Sequence, residues 1–110
     1  MLPSLVRLKL NNRTLRSWKN KREISTPEFK LVYRFLPEQP DIKIGFIVSG
    51  KVGKATQRNR VRRVLTQAVG EHLAGFPKGF EAVFIAKSSE AYKNYENISN
   101  LVDRIIQKLN

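Results

Sequence analysis

The chain has 110 residues, 41% of them hydrophobic and none of them cysteine, so a core of single-domain size must hold without disulfides or thiolate metal sites. No apolar run approaches the roughly 18 residues of a membrane span, and Met1 to Arg7 lacks the charged start, apolar stretch and small-residue cleavage site of a secretory signal, so no membrane association and a cytoplasmic location are expected. Lys and Arg number 21 against 9 Asp and Glu, a formal net charge of +12, which points to a polyanionic partner.

The excess is confined to two segments. Residues 1–22 carry Arg7, Lys9, Arg13, Arg16, Lys19, Lys21 and Arg22, and residues 51–63 carry Lys51, Lys54, Arg58, Arg60, Arg62 and Arg63, both without an acid. The remaining residues are near neutrality. A charge serving solubility alone would be interspersed with acids, so these blocks favour nucleic acid as the partner.

Residues 1–11 have no clear period and read as an extended arm. From Asn12, a candidate N-cap, to Arg22 a short basic helix is predicted, with Leu15 and Trp18 on one side. Phe29 to Leu36 alternates in the strand manner, with Phe29, Leu31, Tyr33 and Phe35 facing the core and Lys30, Val32 and Arg34 facing away. Residues Pro37 to Asp41 read as a turn, and the almost wholly apolar Ile42 to Ser49 is expected to be a central strand forming a hairpin with its predecessor. Gly50 and Gly53 break the pattern. A helix follows from Ala55 to Leu73, with Val61, Val64, Leu65, Ala68 and His72 on one side and Arg58, Asn59, Arg60, Arg62 and Arg63 sweeping the other. Phe80 to Lys87 is a further strand, with Ala82, Phe84 and Ala86 opposite Val83 and Ile85. Asn94 caps a last helix striped by Ile98, Leu101, Val102, Ile105 and Leu109. The expected architecture is a single α+β domain, a two-layer sandwich with a roughly four-stranded sheet in the order α-β-β-(β)-α-β-α, where the bracketed strand is short.

The segment from Lys51 to Arg63 carries the chemistry. Helices favour acids in the first turn, where the peptide dipoles leave partial positive charge worth about 0.3 to 1 kcal/mol per complementary charge. Here the first two turns hold Arg58, Arg60, Arg62 and Arg63, and the i, i+4 pair Arg58/Arg62 repels itself. A phosphate chain accounts for that choice, because helix-start N–H groups and planar guanidinium forks converge on phosphate oxygens. Asn59 can add a hydrogen bond to phosphate, ribose or base. His72, the sole histidine, falls on the apolar side without a nucleophile beside it, and the acids are scattered with no motif for a pair of metal ions, so side-chain catalysis is not expected. The charge pattern leaves open a structural RNA-binding protein of ribosomal-protein type and a DNA-binding regulator.

The run Gly53-Lys54-Ala55-Thr56-Gln57-Arg58-Asn59-Arg60-Val61-Arg62-Arg63 resembles the signature of the bacterial ribonuclease P protein component: a Gly-containing turn, then a helix opening with Arg-Asn-Arg, an apolar residue and two basic positions. Leu2-Pro3 with Arg7-Leu8, Phe29 with its strand, Gly45 to Ser49 and Pro77-Lys78-Gly79 extend the likeness in order along most of the chain. The resemblance implies an accessory subunit of an endoribonuclease, with catalysis of precursor-tRNA 5′-leader removal residing in a large RNA that uses Mg2+; no cofactor is held by a side-chain motif of the protein, and no protein partner is evident. It further implies a left-handed crossover through the central helix.

By the same resemblance the catalytic RNA meets Lys51, Lys54, Arg58, Asn59, Arg60, Arg62 and Arg63, joined by Arg7 and Lys9 of the arm. The single-stranded leader of the precursor tRNA then lies in a cleft containing Trp18, Lys30, Val32 and Arg34. An aromatic platform in a positive groove suits such a strand, stacking being worth about 1 to 3 kcal/mol per base. Two positions depart from the family pattern in the cleft, Thr14 standing for an aromatic and Lys30 for an apolar residue, which implies less stacking and more electrostatics; a third, Gly50, stands for a lysine and removes a phosphate or metal-adjacent contact.

Overall fold

A strand covered on both faces must be apolar at successive positions, and Phe80–Ala86 is such a strand, buried at every residue but Ile85. In the computed structural model, which describes residues 18–36, 38 and 40–109, that strand lies inside a four-stranded sheet. The elements follow as β1 (Arg22–Ser25), β2 (Phe29–Phe35), β3 (Lys43–Ile47), α1 (Ala55–Glu71), β4 (Phe80–Ala86) and α2 (Tyr95–Leu109). The spatial order is β1-β2-β4-β3, with β2 antiparallel to both its neighbours and β3 parallel to β4.

The main core lies between one face of this sheet and the two helices. Phe29, Leu31 and Tyr33 of β2, Ile44 of β3 and Ala82, Phe84 and Ala86 of β4 meet Val61, Leu65, Ala68 and Val69 of α1 and Ile98, Val102, Ile105 and Ile106 of α2. Phe29 meets Phe84 edge-on at 5.0 Å between ring centroids, and Phe76 stacks on Phe80 at 5.1 Å, the spacings at which aromatic pairs attract beyond their burial. The amino end of α2 is capped as expected, the Asn97 N–H reaching Asn94 Oδ1. His72 ends α1 and pairs with Ser99 Oγ of α2 at 2.9 Å, a structural role. Beside it the Tyr95 hydroxyl donates to the Glu71 carboxylate, which holds Glu71 below the usual carboxylate range, while burial and the same bond push Tyr95 up.

Several sequence expectations give way here. The hairpin between Phe29–Leu36 and Ile42–Ser49 does not form, because β4 inserts between β2 and β3. The strand expected to be central is shorter, Lys43–Ile47, and its only ladder partner among the described residues is β4. Its apolar run is used on both faces instead: Ile44 enters the main core and Ile47 packs on the opposite side. A parallel β3–β4 pair needs a crossover, which α1 provides. The short additional strand is β1, and it precedes β2 rather than following it. The basic helix does not reach Arg22: residues 18–21 are not helical, Asn20 turns the chain at φ 60° and Arg22 opens β1. Asn readily takes that left-handed conformation. The arm at residues 1–11 and the predicted helical residues 12–17 lie outside the described residues. The helix expected to end at Leu73 stops at Glu71 and passes into a 3-10 turn at Leu73–Gly75. Phe35, assigned to the core, is 39% exposed at the end of β2, though its ring still meets Tyr33 and Phe80.

The entry to α1 depends on one glycine. Lys54 stands at the N-cap with no oxygen to offer the first-turn N–H groups, and Gln57 Oε1 instead accepts the Lys54 N–H at 2.8 Å. Gly53, at φ 154°, makes room for that amide: a Cβ there would lie 2.2 Å from Gln57 Oε1. Gly53→Ala should therefore lower stability by about 1 to 3 kcal/mol. Gln57→Ala, which loses only the hydrogen bond, should cost about 0.5 to 1.5 kcal/mol. Urea unfolding followed by circular dichroism would rank the two, and equal costs would mean that the glycine serves no purpose beyond the cap.

Candidate nucleic-acid interface

The start of α1 is anchored by Val61 and Leu65, both fully buried, and that anchoring fixes which side chains face outward. Lys51, Lys54, Asn59, Arg60, Arg62 and Arg63 are exposed and Arg58 is half-buried. The first turn holds no acid. Among the described residues, none of these bases has a carboxylate within ion-pair distance. Arg62 Nη2 makes a long 3.4 Å bond to the Val48 carbonyl, and the buried Arg58 Nε has no hydrogen-bond partner there. An unmatched buried N–H costs about 1 to 3 kcal/mol. With the first-turn N–H groups also free of a side-chain cap, donors outnumber acceptors over the whole helix start.

Just before it, Gly50–Val52 forms a 3-10 turn pinned by the buried Val52. Lys51 is exposed on that turn, and a Cβ on Gly50 would meet nothing within 4 Å. The turn follows directly on β3, so the basic helix start and the outer face of the sheet are joined by a few residues of chain.

The outer sheet face, opposite the helices, is set by register. Across β2 and β4 the directly opposed pairs are Lys30 and Ile85, Val32 and Val83, and Arg34 and Glu81; across β4 and β3 they are Glu81 and Lys43, Val83 and Gly45, and Ile85 and Ile47. Directly opposed residues share a face. The centre of this face is therefore apolar, and Trp18 lies on it: Trp18, Val32 and Val83 form a second buried cluster flanked by Ile47 and Ile85.

Thus Trp18, Val32 and Arg34 are brought together, with Lys30 on the same face. Their condition differs from a simple positive groove. Trp18 is only 5% exposed and Val32 3%. Arg34 lies over the Trp18 ring, its guanidinium carbon 4.5 Å from the ring centroid, and pairs with Glu81 at 2.7 Å. Lys30 pairs with Glu23 of β1 at 3.2 Å. Both cations of the expected cleft have acidic partners, and both partners escaped sequence reasoning. The available signal was that alternation within Phe80–Ala86 puts Glu81 on one face with Val83 and Ile85, but nothing local tells which strand lies alongside. Arg7 and Lys9 lie outside the described residues. Among the described residues no three His, Cys, Asp or Glu side chains converge in a way that could hold a metal ion.

Known proteins share the sequence and the fold of this chain. The ribonuclease P protein component of a Nitratiruptor species is 36% identical over 84 residues, covering 76% of this chain and 73% of the relative. That of Geobacillus kaustophilus is also 36% identical, over 66% of this chain and 60% of the relative. Among solved structures, the RNase P protein from Thermotoga maritima shares the fold with a TM-score of 0.78 at 23% identity, over 94% of this chain and 97% of the other. The Staphylococcus aureus RNase P protein gives a TM-score of 0.76 at 21% identity, over 96% and 98%. The family model described as Ribonuclease P matches residues 2–110, and with that match spanning the sheet, both helices and the basic helix start, this chain belongs to the ribonuclease P protein family.

Proposed function

We propose that this chain is the protein subunit of a ribonuclease P ribonucleoprotein and assists RNA-catalysed removal of the 5′ leader from precursor tRNA. The observation that carries this reading is the start of α1, where bases and uncapped N–H groups gather without an acidic partner among the described residues, in a chain that belongs to the family. Phosphate oxygens match these donors in kind: the first-turn N–H groups favour anions, and guanidinium forks take phosphates in bidentate fashion.

In this assignment Lys51, Lys54, Arg58, Asn59, Arg60, Arg62 and Arg63 meet the catalytic RNA, and the outer sheet face around Trp18 and Val32 meets the single-stranded leader. The protein supplies binding and orientation; the bond cleavage and the Mg2+ it uses belong to the RNA. The cytoplasm, where precursor tRNA is processed, is the proposed location.

Reconstitution is the direct test: mixed with a bacterial ribonuclease P RNA, the protein should restore leader cleavage at low Mg2+. Assembly with ribosomal RNA and no gain in cleavage would select a ribosomal-type role instead. Combined replacement of Arg58, Arg60 and Arg62 by Ala should weaken RNA binding while leaving the circular dichroism unchanged. It should also flatten the plot of log affinity against log salt by about 0.7 to 0.9 for each phosphate no longer bound; lost structure with an unchanged slope would assign these arginines to folding. Trp18→Ala removes a buried side chain and should cost about 3 kcal/mol of stability. In the protein that remains folded it should also narrow the affinity difference between leader-bearing and mature tRNA, with binding to the catalytic RNA retained.

A further inference from the structure

Glu81 is 8% exposed, the one buried acid among the described residues. Its place on the outer sheet face is fixed from two sides, since register sets Arg34 of β2 directly opposite it and Lys43 of β3 opposite on the other flank. Arg34 donates to it twice, Nε at 2.8 Å and Nη2 at 2.7 Å, both to Glu81 Oε1. Those two donors make one edge of the guanidinium, the kind of edge that grips a phosphate in bidentate fashion. A leader phosphate and Glu81 therefore compete for the same donors, and a phosphate drawn to Arg34 would also approach a carboxylate of like charge. Meanwhile the guanidinium lies over Trp18 and helps bury the indole.

Resting on the leader-binding role assigned to this face above, we propose that Glu81 is a specificity-determining residue that restrains leader binding. It occupies Arg34 against the leader phosphates, so the face holds the strand with little help from that guanidinium. Glu81 touches neither RNA; it acts through Arg34 and is a positioning residue. Leader binding in the wild-type complex then has a weak dependence on salt, because the nearest arginine on this face is already neutralised.

The test uses the complex reconstituted with a bacterial ribonuclease P RNA, titrated with precursor tRNA and with mature tRNA over a series of salt concentrations. Glu81→Gln keeps the shape and a weaker hydrogen bond while removing the competing charge. It should tighten binding of the leader-bearing RNA by about tenfold and steepen its salt dependence by about 0.7, the increment for one added single-strand phosphate. Binding of mature tRNA should not change. Leader affinity that is unchanged or weaker in this variant would overturn the proposal. Should Glu81→Gln fail to fold, the double variant Arg34→Gln with Glu81→Gln keeps a neutral hydrogen-bonded pair and decides the question. A leader-dependent salt slope equal to that of wild type is expected; a slope lowered by about 0.7 would show Arg34 already engaged with a phosphate and the restraint absent. A wild-type complex that failed to distinguish the two RNAs would instead bring down the leader-binding assignment itself, and the restraint with it.

Discussion

The arrangement depends on β4 being apolar on both faces and held between β2 and β3. Its even-numbered residues, Phe80 to Ala86, belong to the main core against the helices, while Val83 and Ile85 support the smaller cluster on the other side. One strand thus underlies two surfaces. Because β3 runs parallel to it, the connection between them must cross the sheet, and α1 makes that crossing. The basic helix start is consequently placed at the end of β3, whose Ile47 belongs to the outer face. Both regions assigned to RNA are tied to the same strand pair.

The cations of the helix start and of the outer sheet face fall into two classes that composition does not separate. Those at the start of α1 have no acidic partner among the described residues, so their charge is available to a polyanion. Lys30 and Arg34 are paired with Glu23 and Glu81, and Arg34 additionally lies on an indole. The more buried pair matters more. An exposed ion pair such as Lys30 with Glu23 contributes about 0 to 1 kcal/mol and exchanges readily, whereas breaking a pair shielded like Arg34 with Glu81 leaves a charge in a poorly solvated place. The helix surface and the sheet face therefore differ electrostatically: the first is open to a polyanion, whereas the second already carries counter-charges of its own.

Many of these features are legible without the fold. The alternation of Phe29 to Phe35 sorts Leu31 and Tyr33 from Val32 and Arg34 correctly, the stripe of the last helix is continuous, and Asn94 acts as its cap. The Arg-Asn-Arg helix ends within two residues of its expected limit. The errors share a cause. A strand apolar on both faces reads as central whether or not neighbours pair along both its edges, so the run before Ser49 takes the middle place in the sequence reading when Phe80–Ala86 belongs there. Phe35 has the right parity for the core but stands at the end of its strand, where it stays exposed.

Properties carried within a few residues needed nothing but the sequence: the type and faces of β2, β4, α1 and α2, and the concentration of positive charge where α1 begins. These follow from the periods of 2 and 3.6 and from local chain geometry. Which strands lie side by side, and hence that Glu81 meets Arg34 and Glu23 meets Lys30, emerged solely from the folded arrangement. Pairing between segments 47 residues apart, as Arg34 and Glu81 are, depends on how the whole set of apolar faces is buried together, and no local pattern encodes it.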